Sequence, residues 1–407
     1  MLNQEELLYI EETAHGLSDW TIQHRRSLHR IPETAWTENL TTAYLEHQLY
    51  EMGYRITKGD SVAGHSSGLI AEIGSDSSIV IGLRFDIDGL PVNEVSDSSH
   101  LPYREGFAST HPGKMHACGH DGHMAIGLTV AKILADNLCK LRGTIRLLFQ
   151  PAEEGCRGAR EVVKLGWLKD VDYFLAGHIV GREYGKTQDG PADCVTGVNG
   201  SLATSKINAS IYGTSCHGAC PENGASAITA LCSTVLALNG IPRNSHGSTM
   251  INIGMIQGGE GRNIVAAHAS MELEVRGETT ELNQYMEDQA LQIIEAGARL
   301  HNCRSEIEIV GKAPSLVSSL DFQNRINTTL RAVSTIKTAE TGERFKASED
   351  AALLMEEVKS HGGQAVFMLF PTDTTAPLHC ENYDFDESVL TTASVIYSVV
   401  VFDLLSQ

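Results

Sequence analysis

The sequence predicts an α/β protein: a larger domain with a mostly parallel sheet covered by helices, interrupted by an inserted ferredoxin-like β-α-β-β-α-β domain. Three observations predict it. Strand and helix signals alternate as far as about residue 190 and resume after Pro314. Between them the register changes to strand, helix, strand, strand, helix, strand. Short apolar runs that read as buried strands also lead into segments rich in Cys, His and Glu. An open α/β sheet gathers ligands at such places, outside the carboxyl ends of its strands. The expected boundaries are residues 1–200 and 312–407 for the larger domain and 201–311 for the inserted one.

The elements follow in chain order. Residues 1 to about 52 read as helices, and LTTAYLEHQLYEMG is an amphipathic one closed by Gly53. SGLIAEIG and SIVIGLRFDID read as strands. From His123 to Leu138 apolar residues recur at helical spacing, with Asp121 suited to cap that helix and Cys118 and His120 in the loop before it. TIRLLF and DYFLA are buried strands that run into QPAEEG and GHI. In the insert, TSKINASIYG alternates as a strand and SAITALCSTVLALNG is a helix stopped by Gly240. STMINIGMIQGG and SMELEVRGET are strands, ELNQYMEDQALQIIEAGARLH is a long helix and SEIEIVG is a strand. Helices at about 321–335 and 349–361 and the strand 364–370 then complete the sheet.

Bulk properties narrow the function classes. The chain has 407 residues, 42% hydrophobic and 20% charged, as in ordinary globular proteins. A net charge of −20 with no basic stripe argues against nucleic acid, and it requires local cationic residues if the substrate is an anion. No run of ~18 apolar residues predicts a membrane span. The acidic, amphipathic N-terminus does not read as a signal peptide. Nine cysteines without paired spacing fit free thiols in a reducing cytoplasm, and Cys139, Cys232 and Cys303, in apolar helix-like stretches, read as small core residues.

Four segments carry metal-ligand chemistry: CGHDGH, QPAEEG, GHI and HCEN. In CGHDGH, Cys118 and His120 are two apart and can face one cation. His123, inside the helix start, reads as supporting rather than ligating, and His116 is ambiguous. Glu153 and Glu154 follow a Gln-Pro-Ala turn straight off a strand. Neighbouring side chains diverge, so one carboxylate can ligate while the other acts as general base on the attacking water. His178 ends one strand, and His379 follows another after a polar loop. Cys118, His120, Glu154, His178 and His379 make five ligands. That is too many for one tetrahedral zinc with an open position and about right for two divalent metals, Mn or Zn.

In the insert, Cys216 and His217 are adjacent, so in a strand they point to opposite faces and make a poor nucleophilic dyad. His217 reads instead as a mobile polar contact to substrate. The loop GGEGRN, Gly258 to Asn263, reads from its residues alone as a glycine-rich hairpin with solvated tips. Asn263 and Arg276, on neighbouring strands, are candidates to hold a carboxylate, Arg276 in bidentate fashion.

MHACGHDGH, FQPAEEG, GHI and HCENYDFDES, together with RRSLHRIPETAWTE, RFDIDGLP, PYREGFAST, GGEGRNIV and SEDAALLM, resemble the bacterial and plant amidohydrolases with two co-catalytic metals. That family includes hippurate hydrolases, indoleacetyl-amino-acid hydrolases and carboxypeptidase-G-like enzymes. The resemblance implies the five ligands above, with Glu153 as general base and acid. It implies that the insert is a lid and dimerisation domain, with His217 reaching the partner subunit's site to stabilise the oxyanion. Asn263 and Arg276 would hold the substrate carboxylate. The expected reaction is cleavage of an acyl or aroyl amide of an amino acid, first p-aminobenzoyl-glutamate, otherwise an N-acyl or indoleacetyl amino acid. The partner would be an identical chain or a paralogue, as a homodimer or a heteromer. The alternative from another class is a non-catalytic, metal-binding component of a heteromer. HGACPENG is one residue short of the pattern and Ala266 replaces a common Pro, both in the insert, where substrate is selected.

Overall fold

In the computed structural model, which describes residues 2–74, 79–188, 190–333, 335–339 and 343–406, apolar runs form the centre of the larger unit. Its strands are β1 (Arg55–Lys58), β2 (Leu69–Gly74), β3 (Val80–Asp86), β4 (Thr144–Gln150), β5 (Tyr173–Gly181) and β6 (Cys194–Val195). The expected strand SIVIGLRFDID starts at Ser78, which lies outside the described residues. The insert supplies β7 (Ala203–Tyr212), β8 (Thr249–Gly258), β9 (His268–Gly277) and β10 (Arg304–Ala313), and β11 (Thr338–Ala339) and β12 (Gln364–Thr372) follow. The larger sheet has the order β1-β2-β4-β3-β5-β12-β6-β11. Its four central strands β4, β3, β5 and β12 are parallel and nearly continuous in apolar burial, as strands covered on both faces must be. Among the described residues, antiparallel pairing enters this sheet only at β1-β2, β2-β4 and β12-β6, so it is mixed toward its edges.

The helices around this sheet are α1 (Gln4–Gly16), α2 (Ser18–His29), α3 (Asn39–Glu51), α4 (His120–Asp136) and α5 (Gly158–Lys164). After the insert's α6 (Ala227–Asn239) and α7 (Thr280–Leu300) come α8 (Leu320–Leu330), α9 (Ala351–Ser360) and α10 (Ser388–Leu405). The expected helix 321–335 ends at Leu330; its residue 334 lies outside the described residues. By length and composition α10 alone among the described helices is apolar enough to cross a membrane. It is nearly all buried, packed on α4, α1, α2 and α8, and serves as the central core helix of this unit.

Helix α4 starts at His120, not His123, and its N-cap is Gly119 in the left-handed region. Asp121 is therefore not the cap. Its carboxylate accepts from Arg25 Nε at 2.8 Å and faces His29 Nδ1 at 2.8 Å. Gly122 lets this helix approach the sheet: a Cβ there would lie 2.6 Å from Phe385 and 2.8 Å from Ile179.

The second unit comprises Gly200–Ser315 and Phe345–Glu349. Its sheet, ordered β8-β9-β7-β10, is antiparallel throughout, and with α6 and α7 it has the β-α-β-β-α-β connectivity. Residues 345–349 belong with it because the Phe345 N–H donates to the Gly200 carbonyl and the Leu202 N–H to the Ala347 carbonyl. Ser226 and Thr279 cap α6 and α7 with their side chains, and a separate apolar core fills the unit. All nine cysteines are free. Cys303 is buried as expected, but Cys139 and Cys232 lie on the exposed faces of their helical segments.

Candidate metal centre

The segments rich in Cys, His and Glu meet at the carboxyl ends of the parallel strands. Cys118 precedes α4 and His120 opens it. Glu153 and Glu154 occupy the turn after β4, His178 lies on β5, and His379 lies in the loop after β12. That loop is tied down by the His379 N–H, which donates to the Ala117 carbonyl at 2.8 Å with His379 in the left-handed region. Three sets of donor atoms each lie within 4.8 Å of one another: Cys118, His120 and His178; Cys118, Glu154 and His379; and His120, Glu153 and Glu154. Cys118 Sγ is 3.4 Å from His178 Nε2, and His379 Nε2 is 3.4 Å from Glu154 Oε1.

The donor chemistry fits a cation. His120 Nδ1 bonds the Asp88 carbonyl at 2.8 Å and His178 Nδ1 bonds the Ile179 carbonyl at 2.6 Å, so each ring turns its Nε2 toward the same place. His120 Nε2 and Glu154 Oε1 are buried and take no hydrogen bond, an arrangement that costs free energy unless another group satisfies them. Burial opposes charge on His120, yet Asp86 and Cys118 outweigh it and raise its pKa well above the usual histidine value. Cys118 and Glu154 raise His379 to about 10. Burial and the Glu154 carboxylate raise the Cys118 thiol. A positive ion at this point would relieve all of these and draw the thiol to thiolate.

Buried side chains of the same unit hold the ligand loops. His123 Nδ1 bonds Asp86 at 2.6 Å while its Nε2 accepts the Ile179 N–H at 2.9 Å. Both ring nitrogens are hydrogen-bonded, which ties His123 to β3 and β5, although His123 also groups with Asp86 and His120 as a set of possible donors. His116 is enclosed with neither nitrogen hydrogen-bonded, and burial lowers it to about 3. Asp86 and Asp88, which sequence reasoning passed over, prove central. The Asp88 carboxylate accepts the N–H groups of Glu153 at 3.0 Å and Glu154 at 2.9 Å. Arg84 bonds Asp86, Gln150 and Asp350. The available signal was two acids at alternate positions leaving a buried strand in RFDIDGLP.

In the second unit, His217 and Asn263 are exposed and come together. The Gly218 N–H donates to the Asn263 carbonyl at 2.8 Å, and His217 bridges to Ile264. The Cys216–His217 pair lies in this loop, not at a strand end. Arg276 does not join them. It is near the far end of β9, and at ~3.4 Å per residue the eight steps from His268 span roughly 27 Å. There its guanidinium is held by Glu274 at 3.1 and 3.0 Å.

A mixed α/β sheet with Cys, His and Glu donors grouped at its carboxyl edge defines a metal-dependent hydrolase. The model of the peptidase family M20/M25/M40 matches residues 82–401, and the chain belongs to that family as an amide-bond hydrolase. It is 36% identical to one of the subunits of the p-aminobenzoyl-glutamate hydrolase of Escherichia coli (strain K12) and 36% identical to the indole-3-acetyl-aspartic acid hydrolase of Enterobacter agglomerans, each match covering 95% of both chains. The aminobenzoyl-glutamate utilization protein of Klebsiella pneumoniae superposes with a TM-score of 0.79 at 27% identity, over 97% of this chain and 98% of that one. A Bacillus subtilis protein described as a dinuclear metal binding peptidase gives 0.71 at 27% identity, over 96% and 99%.

Proposed function

We propose that this enzyme hydrolyses the amide joining an aroyl or acyl group to an amino acid with a free α-carboxylate, with p-aminobenzoyl-glutamate the first substrate. The observation that carries the reading is the convergence of Cys118, His120, Glu154, His178 and His379 with the Glu153 carboxylate beside them. Cys118, His120, Glu154, His178 and His379 would hold two divalent cations, Mn or Zn. Bound there, these would supply Lewis acidity for the amide carbonyl and acidify the attacking water. Glu153 takes the proton of that water and passes it to the leaving amine. Its backbone amide is held by Asp88, which limits movement of the turn that carries the carboxylate. The relatives named for aminobenzoyl-glutamate and indoleacetyl-aspartate hydrolysis share an acidic amino acid behind an aromatic acyl group, which supports both this substrate and the indoleacetyl alternative. Glu153 beside a full donor set speaks against a non-catalytic role.

The second unit acts as lid and dimerisation domain. Edge strand β8 exposes Met250, Met255 and Ile256 beside unpaired backbone groups, a surface suited to pairing with a second chain. The partner is an identical chain or a paralogue, the latter suggested by relatives whose names make them one component of a larger hydrolase. The distance from the His217–Asn263 loops to Arg276 supports a site drawn from two chains: one lends His217 to the oxyanion and Asn263 to the substrate, and the other lends Arg276 to the carboxylate. Nine free thiols support a cytoplasmic location. The test is hydrolysis by Mn- or Zn-loaded protein of p-aminobenzoyl-glutamate, its α-amide, indole-3-acetyl-aspartate and N-acetyl amino acids. Glu153→Gln should keep the metal and lose ~10²–10⁴-fold in turnover. No turnover of any free acid, or wild-type turnover by Glu153→Gln, sinks the reading.

A further inference from the structure

The turn that carries Glu153 is gripped from behind by a second buried carboxylate that the chemistry above does not use. Glu38, at the start of α3, is fully buried. One of its carboxylate oxygens accepts the Ala152 N–H at 2.8 Å, and the other accepts the Ser67 hydroxyl at 2.7 Å. Ala152 sits in the left-handed region at φ 55°, a conformation that a residue with a Cβ holds only when its surroundings impose it. Three successive amides, of Ala152, Glu153 and Glu154, thus each end on a buried carboxylate: the first on Glu38, the next two on Asp88. Two anions in so small a space oppose each other, and burial together with Asp88 pushes Glu38 up to about 7.

We propose that Glu38 is a positioning residue: through the Ala152 amide it fixes the left-handed turn that aims Glu153. This rests on Glu153 being the general base. Loss of Glu38 releases the Ala152 end of the turn, next to the base, while the Glu154 amide stays on Asp88 and the other four ligands lie on other segments of the chain. A shift of ~1 Å in a catalytic group can cost on the order of 100-fold.

The variants are Glu38→Ala, Glu38→Asp and Glu38→Gln, each loaded with metal and assayed on p-aminobenzoyl-glutamate beside Glu153→Gln. Glu38→Asp keeps the charge but retracts the oxygen by about one bond length, ~1.5 Å, and it carries the test if Glu38→Ala does not fold. Expected are a kcat lowered on the order of 100-fold, KM within about threefold and metal content equal to wild type. Glu38→Gln, whose amide oxygen still accepts the Ala152 N–H, recovers most of the rate. A second readout is independent of activity: in the metal-free Glu38→Asp protein the amides of residues 152–154 exchange faster, while those of α3 keep their protection. Wild-type kcat in Glu38→Asp, or a loss of rate that only tracks lost metal, overturns the proposal. If Glu153→Gln is itself active, the base assignment has failed. If Glu153→Gln is inactive while Glu38→Asp is not, only the role of Glu38 has failed.

Discussion

His120 Nδ1 lies 2.8 Å from the carbonyl oxygen of Asp88, and that bond turns the ring so that Nε2 faces the donor cluster. The same residue holds the Glu153 and Glu154 amides on its carboxylate. Asp88 therefore fixes one ligand ring and one ligand turn together. Asp88→Asn keeps the carbonyl but presents an N–H₂ group to one of the two amides. Metal affinity should fall ~10–100-fold, the usual effect of losing such an outer partner, with little change in the fold. Titration of metal-free protein followed by calorimetry checks this, and unchanged affinity would remove Asp88 from the account.

Cys118→Ser should strip metal, because a serine hydroxyl stays protonated at neutral pH and cannot replace a thiolate. The control must be a cysteine of the core. Cys139, which its sequence context marked as buried, is exposed and unsuitable, whereas Cys194 is fully buried. Metal content after dialysis should drop in Cys118→Ser and stay at the wild-type level in Cys194→Ser. Equal retention in both would count against the thiol as a ligand.

How far the molecule was legible follows from the range of each interaction. Strands β3, β4, β5 and β12 announce themselves because burial on both faces demands continuous apolar runs. The candidate ligands were legible because Cys, His and Glu are grouped in short segments at or near the ends of those runs or at the start of a helix, as with Glu154 after β4, His178 on β5 and His120 opening α4. The start of α4 was not: Asp121 has the chemistry of a cap, but Arg25 and His29, 96 and 92 residues upstream, claim its carboxylate. Cys139 and Cys232 failed because a thiol on an apolar helix reveals no face. Asn263 and Arg276 seemed neighbours because adjacent strands suggest adjacent residues, whereas Asn263 lies in the loop between β8 and β9 and Arg276 lies near the far end of β9.

The buried pair beneath α4 predicts a pH dependence. Burial opposes protonation of His29, but Asp121 and Glu94 outweigh it and raise its pKa to about 9. A raised folded-state value means that the bound proton stabilises the fold. The contribution is complete below the unfolded value of 6.5 and is lost as pH rises through about 9. Glu94, lowered to about 2 by His100 and His29 against its burial, behaves oppositely: its share is present above 4.5 and lost as pH falls toward 2. The melting temperature of His29→Gln should therefore fall furthest below wild type near pH 5–6 and approach it by pH 10. A difference that stays constant across that range would show that His29 contributes packing but no ion pair.

Action in trans makes the sharpest quantitative prediction. If His217 serves the neighbouring chain, then Glu153→Gln and His217→Ala chains, each inactive alone, complement one another. In a mixed dimer one site lacks both groups, while the other has Glu153 from its own chain and His217 from its partner. Equal mixing of a two-fold dimer gives about half mixed species with one intact site each, so about a quarter of wild-type activity should return. Action within one chain returns none, because the base and the histidine are then never intact at one site. The measurement is the rate after subunit exchange at equal total protein, with mixed dimers verified by native mass spectrometry. Verified mixed dimers without recovered activity would assign His217 to its own chain's site or to none.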